Sequence, residues 1–251
     1  MNADAESGKG ARTAESARTS KQDQDSRTRR SALLKTVRAI TFDVGGTLIE
    51  PWPSVGHVYA EVAARFGVSG IAPEWLMENF RRAWRGQVGF DYARESWFAI
   101  VRETFGEHAT QLPPEFYPAV FNRFADADTW HIYDDVLPTL EALAARGVKL
   151  GIISNWDDRL RPLLANLNLT RHFSSLVISA EVGATKPDSR LFAQAAQELG
   201  VIPGDMLHVG DSLTMDVRGA EEFGAIGRQV VRRKSLTDAW QIGLLTELCA
   251  L

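Results

Sequence analysis

Four short apolar runs, each leading to a polar or charged residue, constrain this chain more than any other feature of its sequence. The first is Ile40-Thr41-Phe42, which enters Asp43-Val44-Gly45-Gly46-Thr47 and then the apolar pair Leu48-Ile49. The others lie beyond Tyr133. Residues 148–153 end at Ser154-Asn155, 176–179 precede the segment carrying Lys186-Pro187, and 206–209 deliver Gly210-Asp211-Ser212. Short apolar runs bounded by turn residues read as strands buried on both faces. Between them lie stretches of helical character over about 135–146, 160–167, 189–199 and 213–223, three of them closed by Gly147, Gly200 and Gly224. A last strand over 225–231 and a weak C-terminal helix follow. This alternation predicts an α/β fold, a doubly wound parallel sheet with helices on both faces. Ligands of such sheets bind beyond the carboxyl ends of the strands. Asp43, Ser154, Lys186 and Asp211 all fall at or just past those ends.

The Asp43 stretch has a local logic of its own. A strand tipped by a carboxylate, followed by a loop almost without side chains, lets backbone N–H groups approach an anion. The carboxylate can hold a cation or attack an electrophile. The same residues suit ordinary turn chemistry, so this stretch alone leaves both readings open.

Pro51 and Pro53 break the chain and introduce a different pattern. Residues 54 to about 131 read as helical over 55–66, 73–84, 92–105 and 114–124. Trp75, Trp84, Trp97 and Trp130 fall in this insert and are expected to pack its core. Arg81, Arg82 and Arg85 are expected on a solvated face. The organisation expected is a tail over 1–35, an α/β core over 36–52 and 132–251, and a helical insert over 53–131. Residues 1–38 hold nine Lys/Arg and five Asp/Glu in a chain of net charge −4. The remainder is therefore acidic, which disfavours binding to nucleic acid backbones. Residues 1–35 have too little apolar surface to offset ordering entropy and are expected to be disordered. They lack the apolar centre of a signal peptide and are too acidic for a transit peptide, and the native start is expected near Val37. No run approaches the ~20 apolar residues of a membrane span. The single cysteine, Cys249, fits a reducing compartment, so a cytoplasmic location is expected.

Taken in order, 43–47, Ser154-Asn155, Lys186-Pro187, and Gly210-Asp211-Ser212 with Asp216 resemble the motifs of the haloacid dehalogenase (HAD) superfamily. The resemblance is to the branch with a helical cap inserted after the first strand, and within it to the rhythmically expressed gene two-like hydrolases. It covers nearly everything from Arg38 onward. It implies a HAD-like Rossmannoid core with an inserted helical cap. It further implies a Mg²⁺-dependent phosphatase that acts through an aspartyl-phosphate on a small phosphometabolite. The resemblance assigns Asp43 as the nucleophile, directs Ser154 and Lys186 to the phosphoryl group, counts Asn155 among the catalytic residues, and has Thr47 bonding within the nucleophile loop. It assigns Asp43, the Gly45 carbonyl, Asp211 and Asp216 to the metal. A hard cation suits this chemistry, because a carboxylate attacks a charged phosphoryl group only when that charge is neutralised.

One departure matters. Family phosphatases carry a second aspartate two residues past the nucleophile, an acid toward the leaving group and then a base toward water; this chain has Gly45. Losing such a group costs about 10²–10⁴-fold. Weak or selective activity is therefore expected, best on leaving groups that depart unprotonated, as from aryl or acyl phosphates. His57 and His131, near the cap hinges, are candidates to replace the acid and are expected to be structural instead. The departure also brings competitors. A metal-independent 2-haloacid dehalogenase needs no acid, but Asp211 with Asp216 argues for a metal, and that family's tyrosine in place of Gly45 is missing. A phosphonatase uses a cap lysine, and no lysine occurs from residue 51 to 148. Sugar kinases of the actin-like fold share the look of 43–47 but need a longer, duplicated chain. A non-catalytic phosphate-binding protein of the same fold is the alternative that Gly45 keeps open.

Overall fold

The computed structural model describes residues 37–87, 89–232 and 235–250; the expectations for the tail and for the native start concern residues outside these. Strand β1 (Ala39–Phe42) and β2 (Ile49–Pro51) lead into four helices, α1 (Val55–Arg65), α2 (Pro73–Arg85), α3 (Arg94–Phe105) and α4 (Phe116–Arg123). After β3 (Trp130–Ile132) come α5 (Val136–Ala145), β4 (Lys149–Ser154), α6 (Leu160–Asn166) and β5 (Ser175–Ile178). The one-turn α7 (Ser179–Val182), α8 (Ser189–Leu199) and β6 (Met206–Gly210) follow. A π-helical turn, Leu213–Arg218, runs into α9 (Gly219–Phe223), and β7 (Ile226–Val230) and β8 (Gln241–Ile242) complete the set.

Six strands make one parallel sheet in the order β5-β4-β1-β6-β7-β8. Ile40, Phe42, Leu150, Ile152, Leu207 and Val209 pack with Leu140 of α5 and Leu163 of α6. Ala39, Ile153, Val177 and Met206 pack with Phe192 of α8 and Ala220 of α9. Both faces of the sheet are covered, which is why these strands read as apolar runs rather than alternating ones. The chain moves from β1 to one side through β4 and β5, then returns to the other side with β6. The reversal opens a crevice at the carboxyl end of β1, where Phe42 is level with Ile152 and Val209. Asp43 comes next, its N–H donating to the Val209 carbonyl at 2.8 Å.

The helical insert has its own apolar cluster, built around Tyr59, Leu76, Phe105 and Phe116. It joins the core through an antiparallel ribbon in which Ile49 of β2 faces Ile132 of β3. Strands this short leave no pattern in the sequence, so neither is expected from it. Helix α3 begins at Arg94 rather than at 92, because Tyr92 has a left-handed backbone (φ 59) that no helix accommodates. The expected single helix over 213–223 is a π turn followed by a short α-helix. The edge strand β8 is additional, and the C-terminal helix is a 3₁₀ segment, Leu245–Ala250.

Candidate active site

The carboxyl ends of β1, β4 and β6 and the segment after α7 converge on one buried cluster. The Asp43 Oδ1 accepts from Ser154 Oγ at 3.0 Å and from Lys186 Nζ at 2.7 Å. The Lys186 ammonium also donates to Asp216 Oδ1 at 2.6 Å and to the Ile153 carbonyl at 2.9 Å, so all three of its protons are engaged. Asn155 fixes Lys186 from the backbone side, accepting its N–H at 2.7 Å and donating to its carbonyl at 3.2 Å. Asp216 lies in the π turn. Its Oδ1 also meets His208 Nε2 at 3.2 Å, and its Oδ2 accepts the Ser212 N–H at 2.9 Å. His208 in turn contacts Thr41 Oγ1 through Nδ1 at 2.9 Å, tying β1 to β6 beneath the site.

Two glycines make this packing possible. A Cβ at Gly210 would fall 2.1 Å from Asp216 Cγ, and a Cβ at Gly46 (φ 73) would fall 2.7 Å from Asp211 Oδ2. Only glycine lets the backbone approach these carboxylates so closely.

Burial raises the Asp43 pKa despite the opposing pull of Lys186. Loss of solvent also works against ionised Asp216, yet Lys186 and His208 together hold it well below the usual carboxylate range. Burial opposes the Lys186 charge, but the two carboxylates outweigh it and keep the ammonium protonated. Asp211 is exposed at the rim, but the crevice strips enough water from its carboxyl, beside Asp43 and Asp216, to push it up to about 7. Oxygens of Asp43, Asp211 and Asp216 all lie within 4.8 Å of one another. Three carboxylates against one lysine leave negative charge that a hard divalent cation relieves, and an all-oxygen set suits Mg²⁺. Asp43 and Asp211 are the ones best placed to hold it, since Asp216 already has both oxygens engaged.

Of the residues singled out from sequence, Asp43, Gly45, Ser154, Asn155, Lys186, Asp211 and Asp216 line one cavity of about 820 Å³ between core and insert. Thr47 does not. It is buried behind the loop, its hydroxyl has no hydrogen-bond partner, and the bonding expected of it is made by its backbone. The N–H groups of Thr47, Leu48 and Ile49 all donate to the Val44 carbonyl, at 3.2, 2.8 and 3.1 Å, and this closes the loop without the side chain. His57 bonds Ser54 at the start of α1, and His131 packs tilted against Trp52; neither lines the cavity. Arg81 and Arg85 pair with Glu78 on an exposed face, as expected.

The tryptophans depart from expectation. Trp84, Trp97 and Trp130 line the cavity rather than packing the core of the insert, and Trp75 is half exposed against His108. Trp156, Tyr92 and His208 belong to the site and are absent from the sequence reading. Position was the available signal for Trp156, which directly follows Ser154-Asn155, and for His208, a lone polar residue in an apolar strand. Tyr92 had none. Loss of solvent pushes its phenol, beside Asn155, up to about 12.

A carboxylate at the switch point of a doubly wound sheet, held by a serine and a lysine beside two further carboxylates, is a site of the kind found in α/β hydrolases. Residues 37–224 match the model of the haloacid dehalogenase-like hydrolase family, and the chain belongs to that family. Haloacid dehalogenase-like hydrolase domain-containing protein 3 of Danio rerio is 31% identical over 209 residues, 78% of this chain and 86% of that protein. The Rhythmically expressed gene 2 protein of Drosophila melanogaster is 30% identical over 76% of this chain and 82% of its own length. Glyceraldehyde 3-phosphate phosphatase of Methanopyrus kandleri is 27% identical over 79% of this chain and 85% of its own length. Among solved structures, a HAD phosphatase from Thermococcus onnurineus superposes with a TM-score of 0.60 at 25% identity, covering 84% of this chain and 96% of that one. The L-2-haloacid dehalogenase of Xanthobacter autotrophicus, at 22% identity and a TM-score of 0.65 over 85% of this chain and 97% of that one, shares the fold. No helix among the described residues is long and apolar enough to cross a membrane.

Proposed function

We propose that this protein is a Mg²⁺-dependent phosphatase that hydrolyses a small phosphorylated molecule through an aspartyl-phosphate on Asp43. The observation that carries the reading is the hold on one Asp43 oxygen by both Ser154 and Lys186, beside the Asp211 and Asp216 carboxylates. With Oδ1 so held, Oδ2 is the oxygen left to attack phosphorus. The Ser154 hydroxyl and the Lys186 charge, both against Asp43, would turn to the phosphoryl oxygens and stabilise them as negative charge shifts. Asp43 and Asp211 would hold Mg²⁺, with Gly45 at the same wall, and the metal would supply the charge neutralisation that attack by one anion on another requires. Water then attacks phosphorus, releasing phosphate and restoring Asp43. At position 45 no side chain protonates the leaving oxygen, and a Cβ there would sit 3.2 Å from the Trp156 ring. Activity is therefore selective for leaving groups that depart as stable anions. A metal-independent dehalogenase fits less well, because it leaves the charge of three clustered carboxylates unrelieved. The free Cys249 accords with a cytoplasmic setting.

The test is hydrolysis of an aryl phosphate and of glyceraldehyde 3-phosphate, with and without Mg²⁺, by wild type and Asp43→Asn. Metal-dependent turnover by wild type alone is expected. Halide release from a 2-haloacid without metal would favour the dehalogenase, and equal background in every sample would favour a binding protein.

A further inference from the structure

The cavity above Asp43 is walled by aromatic rings. Trp84 and Trp97 stack with their planes 1° apart and centroids at 5.4 Å. Phe90 stands edge-on to both, at 5.2 and 4.8 Å, and Tyr92 edge-on to Phe90 at 5.0 Å. Trp130 and Trp156, 5.2 Å apart, form another side, with Trp156 beside Gly45. The left-handed backbone at Tyr92 turns the loop that brings Phe90 and Tyr92 to this wall, a conformation that a bulky residue adopts only when its surroundings impose it. At about 820 Å³ the space matches a drug-sized ligand rather than a bare phosphoryl group.

Charge is scarce in this wall. Among the described residues lining the cavity the cations are Lys186 and Arg159. Lys186 has all three protons engaged within the catalytic cluster. Arg159 uses Nε and Nη2 on Asp157 at 2.7 and 2.6 Å, gives Nη1 to the Phe121 carbonyl, and lies 3.4 Å above the Phe121 ring. Lys186 has no proton left for a second anionic group on a ligand, and the Arg159 charge is already matched by the Asp157 carboxylate. Gln87, the amide on the helical side, is tied to the Ala83 carbonyl at 3.2 Å.

We propose that the cavity receives the phosphate ester of a planar aromatic alcohol whose ring system carries no second negative charge. The proposal rests on the phosphatase reading for its reaction and on the ring lining for its ligand. The missing acid points the same way, since an aryloxide leaves without being protonated. In the reaction Asp43 Oδ2 forms a bond to phosphorus and the bond from phosphorus to the aryl oxygen breaks. The aryloxide departs with the electron pair and takes a proton from water. A second water then cleaves the aspartyl-phosphate, giving inorganic phosphate and the original carboxylate.

Comparing 2-naphthyl with phenyl phosphate isolates ring size, because the two leaving groups are of similar acidity. Wild type with Mg²⁺ is expected to prefer the naphthyl ester in kcat/KM by about tenfold. Trp84→Leu and Phe90→Leu, each checked for folding by thermal melting, are expected to cut that ratio by about threefold to tenfold. A ratio near one in wild type, or a ratio unmoved in both folded variants, overturns the proposal. Calorimetric titration with the non-hydrolysable 2-naphthylmethylphosphonate separates ligand from reaction. Binding that weakens in Trp84→Leu supports the pocket assignment even if no ester is turned over, an outcome that would sink only the phosphatase reading. Absence of binding overturns the pocket assignment.

Discussion

Lys186 is the side chain on which the site's electrostatics turn. It is buried between two carboxylates, and removing it strands both charges. Lys186→Met is therefore expected to lower stability by about 3–5 kcal/mol, measured by urea denaturation at neutral pH. A loss below about 1 kcal/mol would mean that the carboxylates are neutral or otherwise compensated. Gly45 and Trp156 form a second coupled pair, because any side chain at 45 meets the indole at 3.2 Å. Gly45→Asp alone is expected to bring no gain in aryl phosphatase rate. Combined with Trp156→Ser it is expected to raise kcat on a poor, alkyl leaving group by about tenfold or more. Equal effects of Gly45→Asp with and without the second change would show that the ring does not occupy the acid's place.

The π turn after β6 is the element that carries Asp216, and its wide first turn lets that carboxylate fold back onto the Ser212 N–H and Lys186. Such turns recur at functional sites. Sequence periodicity could not separate it from an α-helix, since Leu213 to Phe223 has one continuous helical character, and Asp216 folds back so far that a Cβ at Gly210 would fall 2.1 Å from its Cγ. Gly210→Ala places a methyl inside that contact. The variant is expected to lose about 1–3 kcal/mol of stability by thermal or urea melting, and with it the stabilisation by Mg²⁺. The short strands β2 and β3 were equally illegible, being three residues each and stable only as a pair. By contrast β1, β4 and β6 were readable to within a residue or so, because burial on both faces leaves an unbroken apolar run.

At the level of the complete chain, core and insert meet across the cavity, where Trp97 Nε1 donates to Asp157 Oδ2 at 3.1 Å. The charge gathered there makes stability depend on pH. Asp211 has a pKa raised to about 7, so the folded, metal-free protein holds this proton more tightly than the unfolded chain does. Its contribution to stability is complete at low pH and is lost as pH rises from about 4 through about 7. Mg²⁺ needs the ionised form. The rise in Tm on adding Mg²⁺ is therefore expected to be small near pH ~5.5 and to reach a plateau above pH ~7.5. Thermal melts across that range, with and without the metal, measure it. A Tm increment independent of pH would remove Asp211 from the ligand set.

Sequence was sufficient for what depends on near neighbours along the chain. Apolar runs and the glycines near Asp43 and Asp211 were enough for the parallel sheet and for placing Asp43, Ser154, Lys186 and Asp211 at or just past strand ends, while the carboxylate set followed from the family resemblance. Folding in three dimensions settled which way side chains face where elements from distant parts of the chain meet. Trp84 and Trp97 suit the core of a helical insert as well as the wall of a cavity, and only the packing of the insert over the sheet chose the wall. For the same reason Tyr92, Trp156 and His208 joined the site and the Thr47 hydroxyl was left out of it. Local pattern encodes burial; the partner against which a residue is buried is a property of the assembled fold.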